Sequence, residues 1–459
     1  MKRTRRFTNL HTRRFANALA ALLLCVLCSV AARAQDTDRP DPNMSDTPAP
    51  TYVIRNARVV TVSGAELENA TVVISNGRIS SVGSTAAAPA GAQEIDGRGL
   101  SVYPGMIDLG TNMGLAEVES VGATRDTAEL GDMNPNVATI WSINPHSSHI
   151  DVTRVAGVTS ALALPSGGII SGQAALINLA GSSPREMAVA PQAALVIEFP
   201  RIGGGGGFAA FLQAQQGITQ DAITQRDRRI DQIRQMLRDA EAYGRAQDAY
   251  AKDPKNVPRP TTDLKLAALV PYVRGERPVI FRAERERELH AVVRFAEEMK
   301  LKPVIIGGSE AWKAAQFLKE HDVPVILDSV LNMPLREDDP YDSLYENASK
   351  LAAAGVRFCI STGDSGAHVR DLPFHAGMAA AYGLPKDAAL KAVTLYPAQI
   401  LGVADRLGSI EQGKVANLVV TDGDMLEART SVRYLFINGR QIPLVSRHTM
   451  LSDQFKDRK

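Results

Sequence analysis

The spacing of apolar residues changes twice along this chain. Between residues 52 and 102 they come in short alternating runs, at 52–54, 57–62, 71–75 and 79–82, separated by turn signals at Asn76-Gly77 and Asp96-Gly97. Such runs predict β-strands. The same style returns near the end of the chain, at 416–421 and at 432–442 around Asn438-Gly439. Between these regions, β-rich runs at 105–109, 159–164, 193–199, 278–283, 303–306, 324–328 and 357–361 alternate with amphipathic helical stretches at 287–299, 310–320 and 344–354. Alternation over that length predicts an α/β fold: a (β/α)8 TIM-like barrel, with a small β-sandwich domain formed from both termini. The expected divisions are 52–103 with 404–446 for the sandwich, 104–403 for the barrel, and a C-terminal tail at 447–459. No internal repeat is visible.

Two stretches break the alternation. Residues 221–252 are charged, with Ile230, Ile233 and Leu237 at a spacing that gives one buried stripe, and predict a helical insertion on the barrel. Residues 203–207 are five consecutive glycines without the Gly-Lys-Ser/Thr ending of a phosphate-binding loop, so a loop near the barrel mouth is expected rather than a phosphate cradle. The start of the chain is different again. Lys2, Arg3, Arg5, Arg6, Arg13 and Arg14 precede an apolar run at 16–31, and Ala32-Arg33-Ala34 supplies a small-x-small site. This reads as a secretory signal at 1–34 followed by a polar, Pro-rich linker at 35–51.

Composition adds limits. Cys25 and Cys28 lie in the leader, so cleavage leaves Cys359 alone and no internal disulfide. Leu22-Leu23-Leu24 ahead of Cys25 makes a poor lipidation signal, so periplasm or secretion is the expected location, with no membrane attachment once the signal is cut. A net charge of +1 gives no electrostatic case for nucleic acid. A small-molecule ligand is the expected partner.

Several motifs resemble the amidohydrolase superfamily, in particular imidazolonepropionase-like members. Tyr103-Pro104-Gly105-Met106-Ile107-Asp108 is similar to the start of that family's barrel, and Gly157-Val158-Thr159-Ser160 to its next strand. The stretch 390–403, then Gly408-Ser409-Ile410-Glu411-Gln412-Gly413-Lys414 and Val415-Ala416-Asn417-Leu418, resembles the return of the chain to the sandwich. The similarity spans about residues 52–443. It implies hydrolysis of C–N bonds in cyclic amides, acyl-amino acids or dipeptide-like compounds. It also implies one or two divalent metals, usually zinc, that activate water at the C-terminal face of the barrel.

The ligand positions that the resemblance implies are mostly altered. Where the family carries His-x-His after Asp108, this chain has Gly110-Thr111-Asn112. Arg282 stands where a strand histidine is expected, and a guanidinium cannot coordinate a cation. The next histidine position falls at Gly307-Gly308, and the 193–199 strand has Glu198 but no lysine. Asp364 alone keeps its place, as the family's catalytic aspartate. No metal-ligand set is therefore expected, and the metal of this chain is left open.

Other candidates follow from position. Arg282 and Glu284 are two apart on a strand and face one side. The expectation is that Arg282 supplies the lost cationic charge by pairing with Asp364 or Glu284; the alternative is a surface pair with Glu286 or Glu288. Ser171 and Gln173 are expected on a βα loop at the functional face, as ligand contacts or as part of a turn. His368 and His375 follow Asp364, as substrate contacts or loop-fixing hydrogen bonds. His146 and His149 share a helical spacing that favours capping or packing, His290 and His321 read as surface residues, and Asp328 either enters the pocket or caps a helix. Two functional readings remain. One is an exported hydrolase of C–N bonds with Asp364 as general base. The other is a non-catalytic binding protein, as a homo-oligomer or as a partner subunit of an active amidohydrolase.

Overall fold

The structure, a computed structural model, describes residues 50–84, 86–201, 219–328, 330–363 and 365–458. The leader, nearly all of the linker, the glycine run at 203–207 and Asp364 lie outside these residues. The chain begins with β1 (Tyr52–Val59), β2 (Leu67–Ser75), β3 (Arg78–Gly83), β4 (Gln93–Asp96) and β5 (Ser101–Pro104). Next come β6 (Met106–Thr111), β7 (Val158–Ala163), β8 (Ile170–Asn178), β9 (Ala188–Glu198), β10 (Pro278–Ala283), β11 (Lys302–Gly307), β12 (Val325–Leu327) and β13 (Phe358–Ile360). It ends with β14 (Leu418–Thr421), β15 (Val432–Ile437) and β16 (Arg440–Ile442).

The first sheet draws on both ends of the chain, in the order β16-β15-β14-β5-β1-β2-β3, with β4 also on β1. β14 enters it antiparallel to β5, with Val420 opposite Val102. Its alternating residues fill one core that includes Ile54, Val72, Ile74, Leu418 and Phe436, and Tyr52 meets Phe436 edge-on at 5.1 Å. The sheet therefore curls over its own interior. Asn438 and Gly439 join β15 to β16 with φ of 51° and 69°, the left-handed pair that a two-residue hairpin turn requires.

The second sheet is a nearly closed barrel in the order β13-β12-β11-β10-β9-β8-β7-β6. All seven expected barrel strands are present. The eighth, β8, was expected as part of a loop, and it runs antiparallel to both β7 and β9. Residues 165–168 are thus a hairpin turn, and Ser171 and Gln173 lie in a strand. All nine residues of β8 are buried, so its sequence lacks the polar alternation that marks a strand exposed on one face. At the start of the barrel, a Cβ on Gly105 would lie 2.2 Å from the Thr159 side chain, which explains the Pro-Gly spelling there by close strand approach.

The helix Gln220–Lys252 buries Ile233, Leu237, Ala240 and Gly244, in agreement with the single stripe read from its sequence. The expected tail carries the helix Arg447–Phe455. Among the described residues no helix is long and apolar enough to cross a membrane.

A buried amide network joins the two sheets. Asn417 Nδ2 donates to Asn178 Oδ1 at 2.8 Å and to Ser160 Oγ at 3.3 Å, while its Oδ1 accepts from the Asn438 backbone at 2.9 Å. Asn178 Nδ2 in turn donates to Asn438 Oδ1 at 2.9 Å. Removing the central amide strands several buried polar groups at once. Asn417→Ala is therefore expected to lower stability in urea denaturation by about 2–4 kcal/mol.

Candidate functional site at the barrel mouth

Parallel barrel strands present their C-terminal ends, and the loops that follow them, on one face. A cleft of about 410 Å³ opens there, with Thr111 and Asn112 from the end of β6, Glu119 from the next loop, Ser166 from the hairpin, Glu198 from β9 and Arg282 from β10 among its walls. Strand register brings the last two together: Arg282 lies opposite Glu198 across the β10–β9 ladder.

Arg282 is the centre of charge. Its Nε donates to Glu198 Oε1 and its Nη1 to Asp328 Oδ2, each at 3.3 Å. The Arg282 side chain is 17% exposed and that of Asp328 9%. The expected pairing with Glu284 is not formed, and neither is a surface pair with Glu286 or Glu288. The Glu284 carboxylate faces the other way and accepts from Ser309 Oγ at 2.7 Å and from the Ser309 backbone at 3.3 Å. The reason is that β10 ends at Ala283, so Glu284 no longer follows the strand's alternation. Among the described residues Asp328 caps no helix, and it is an ion-pair partner of Arg282. The other proposed partner, Asp364, is outside the described residues.

A Cβ at position 110 or 307 would meet side chains already in place. A Cβ at 110 would lie 2.5 Å from Ser361 Oγ, and a Cβ at 307 would lie 2.4 Å from Glu284 Oε1. Asn112 is fully engaged: its Nδ2 donates to Glu119 Oε1 and its Oδ1 accepts from the Gly366 backbone, both at 2.7 Å. It ties the loop after β6 to the loop after β13. Among the described residues, no group of three or more His, Cys, Asp or Glu side chains is arranged to hold a metal ion.

Beneath the mouth sits Asp108, which the sequence reading used only as a motif letter. It is fully buried. Ser361 Oγ donates to its Oδ1 at 2.5 Å and the Gly110 backbone at 3.0 Å, while Thr362 gives its hydroxyl at 2.6 Å and its backbone N–H at 3.1 Å to Oδ2. Burial pushes the Asp108 carboxyl upward in pKa, and these donors pull part of the way back. Buried beside it, the Cys359 thiol is pushed well up as well.

The remaining candidates leave the site. Gln173 is buried, with its Nε2 donating to Pro135 O at 2.8 Å and its Oε1 accepting from the Tyr272 hydroxyl at 3.3 Å. It is a packing residue. Ser171 is buried beside it in β8, and its hydroxyl has no partner among the described residues. His368 is exposed and is not in the cleft wall. His375 is buried within the helix Leu372–Ala381, not on a loop, and its Nδ1 has no partner among the described residues. His146 and His149 do not share a helix face. His146 precedes the helix Ser148–Arg154, whereas His149 lies in it and its Nε2 is 3.0 Å from Glu117 O. His290 and His321 stack on Phe317, with centroids at 3.9 and 4.3 Å.

A barrel with a polar mouth, carried on a sheet made from both chain ends, defines the class of amidohydrolase-type barrels. Sequence and fold comparisons support the amidohydrolase superfamily for this chain. The amidohydrolase family model matches residues 295–442. The chain is 27% identical over 366 residues to the amidohydrolase tasK of Hapsidospora irregularis, a match covering 75% of this chain and 36% of that protein. It thus spans little more than a third of that curated relative's length. Its structure is similar to the crystal structure of an amidohydrolase from Thermotoga maritima MSB8, with a TM-score of 0.73 and 26% identity over 85% of this chain and 99% of that one. A further amidohydrolase structure, 16% identical with a TM-score of 0.51 over 85% and 98% of the two chains, shares the fold.

Two outcomes test this geometry. Arg282→Ala leaves Asp328 and Glu198 facing one another without their cation, and is expected to cost about 3–5 kcal/mol in urea denaturation. Burial, with a smaller contribution from His368, lowers the His375 pKa from 6.5 to about 4. Folding therefore favours the neutral ring, and its contribution is complete above pH 6.5 and lost as pH falls through about 4. Over that window the wild type is expected to lose about 3 kcal/mol that His375→Leu does not, read from urea midpoints at each pH.

Proposed function

We propose that this chain is an exported amidohydrolase-family protein that takes a small amide-type molecule in the barrel mouth. Its centre is organised by Arg282 with Glu198 and Asp328, in the region where the resemblance places a divalent metal. The observation that carries this reading is the filled space at positions 110 and 307, where the Ser361 hydroxyl and the Glu284 carboxylate stand within 2.5 Å of any Cβ. Histidine at those positions would have to displace both groups. The donors that remain do not fit zinc, because a guanidinium already engages the carboxylates of Glu198 and Asp328, and the Asn112 amide is spent on backbone and Glu119.

Family membership supports hydrolysis of a non-peptide C–N bond as the reaction class. In this centre the chain's own groups would carry it: Arg282 to stabilise developing negative charge, and a carboxylate, Asp364 by resemblance, to take a proton from water. Export rests on the leader at 1–34, and gives the periplasm or the exterior as the location. A second reading is binding without turnover, or as the partner subunit of an active family member; exposed large apolar side chains such as Leu130, at 96%, Met333 and Tyr341 would give a partner apolar surface to cover.

Plasma mass spectrometry of the purified mature protein, after equilibration with zinc and manganese, is expected to find no stoichiometric metal. Near-stoichiometric metal that disappears in Asp364→Ala would sink the arginine-centred reading. Chelator-insensitive turnover of acyl-amino acids or cyclic amides supports the hydrolase, and a stable complex with a metal-replete relative supports the second reading.

A further inference from the structure

Glu198 ends β9 and reaches into the mouth toward Arg282, whereas the next residue, Phe199, packs its ring 6.1 Å from that of Phe281 and 5.5 Å from that of Phe295. Above this aromatic cluster is a second cavity of about 280 Å³ that shares no lining residue with the mouth. Phe199, Ile230 and Ala291 give it apolar walls, and Arg201, Arg226 and Arg287 surround them.

The charge in this cavity is not balanced. Arg226 pairs with its neighbour Asp227 at 2.6 Å. Arg201 and Arg287 have no hydrogen bond or ion pair among the described residues. Glu288 is also in the wall, but its carboxylate is spent on the backbone N–H groups of Glu284 and Arg285, at 3.0 and 3.2 Å. Arg287 moreover sits in the first turn of the helix Glu286–Glu298, where a cation opposes the helix dipole. Two guanidinium groups without a hydrogen bond or ion pair among the described residues outweigh the one carboxylate, Glu288, in this wall, and a net positive charge beside an apolar hollow suits an anion with a hydrocarbon body.

We propose that this cavity binds a small amphiphilic anion, with an aromatic or short alkyl body against Phe199, Ile230 and Ala291 and its carboxylate or sulfonate on Arg201 and Arg287. The site is independent of the mouth and of any reaction there.

The probe is 1-anilinonaphthalene-8-sulfonate, titrated by fluorescence against the full chain, with N-phenyl-1-naphthylamine as its uncharged counterpart. The wild type is expected to bind the sulfonate saturably, at least tenfold more tightly than the amine, and more weakly in 0.5 M salt. Arg201→Ala with Arg287→Ala should weaken sulfonate binding tenfold or more, and Ile230→Trp, which fills the hollow, should abolish it. Circular dichroism melting confirms that each variant is folded. Equal binding of the two probes, unchanged binding in the double variant, or no saturable binding by the wild type overturns the proposal.

Discussion

The barrel depends on a buried carboxylate. The sheet runs from β13 round to β6, and no ladder joins those two end strands among the described residues. Asp108 spans the gap, with both oxygens taking donors from Ser361 and Thr362 beyond the last strand. An unpaired buried carboxylate would be costly, and four converging donors are what make this one tolerable. The arrangement also fixes the mouth above it. Ser361 can reach Asp108 only by crossing the space a side chain at 110 would need, so closing the barrel and emptying that position are the same event. Ile107 completes the seam by donating its N–H to Val393 O at 2.8 Å.

Above the seam, the proposed arginine centre sets a plane of directed donors where the family resemblance implies a point charge. A divalent metal draws in lone pairs from several directions and makes water acidic. A guanidinium can only donate, in a fixed fork, and cannot be deprotonated. Glu198 and Asp328 each accept one bond from this guanidinium, and in the arginine-centred reading the mouth recognises a polar ligand through such directed donors.

Much of the architecture could be read from the chain, because strands that alternate or carry β-branched runs between glycine and proline signals announce themselves. β8 did not: buried on both faces, it offers no polar face to set its period, and the glycines before it suggested a loop. The site was less legible. Arg282 stood out, but its partners Glu198 and Asp328 are 84 and 46 residues away, and sequence proximity pointed instead to Glu284. That residue lies just past the end of its strand, where alternation no longer predicts direction. The role of Asp108 was hidden because hydroxyl donors such as Ser361 and Thr362 carry no signature, whereas the position of Asp108 in a motif did mark it as worth following.

Asp108 and Ser361 are 253 residues apart, and β5 waits still longer for β14. The barrel edge and the curled sheet therefore both stay open until nearly the whole chain has been made, and at about 5–20 residues per second that is a matter of tens of seconds. During this time β6, paired on one side with β7, presents its other edge to its surroundings, the kind of edge that invites wrong pairing. Maturation of this protein thus ends in two late joinings, Ser361 and Thr362 reaching Asp108 and then β14 reaching β5, and a chain halted before Ser361 makes neither.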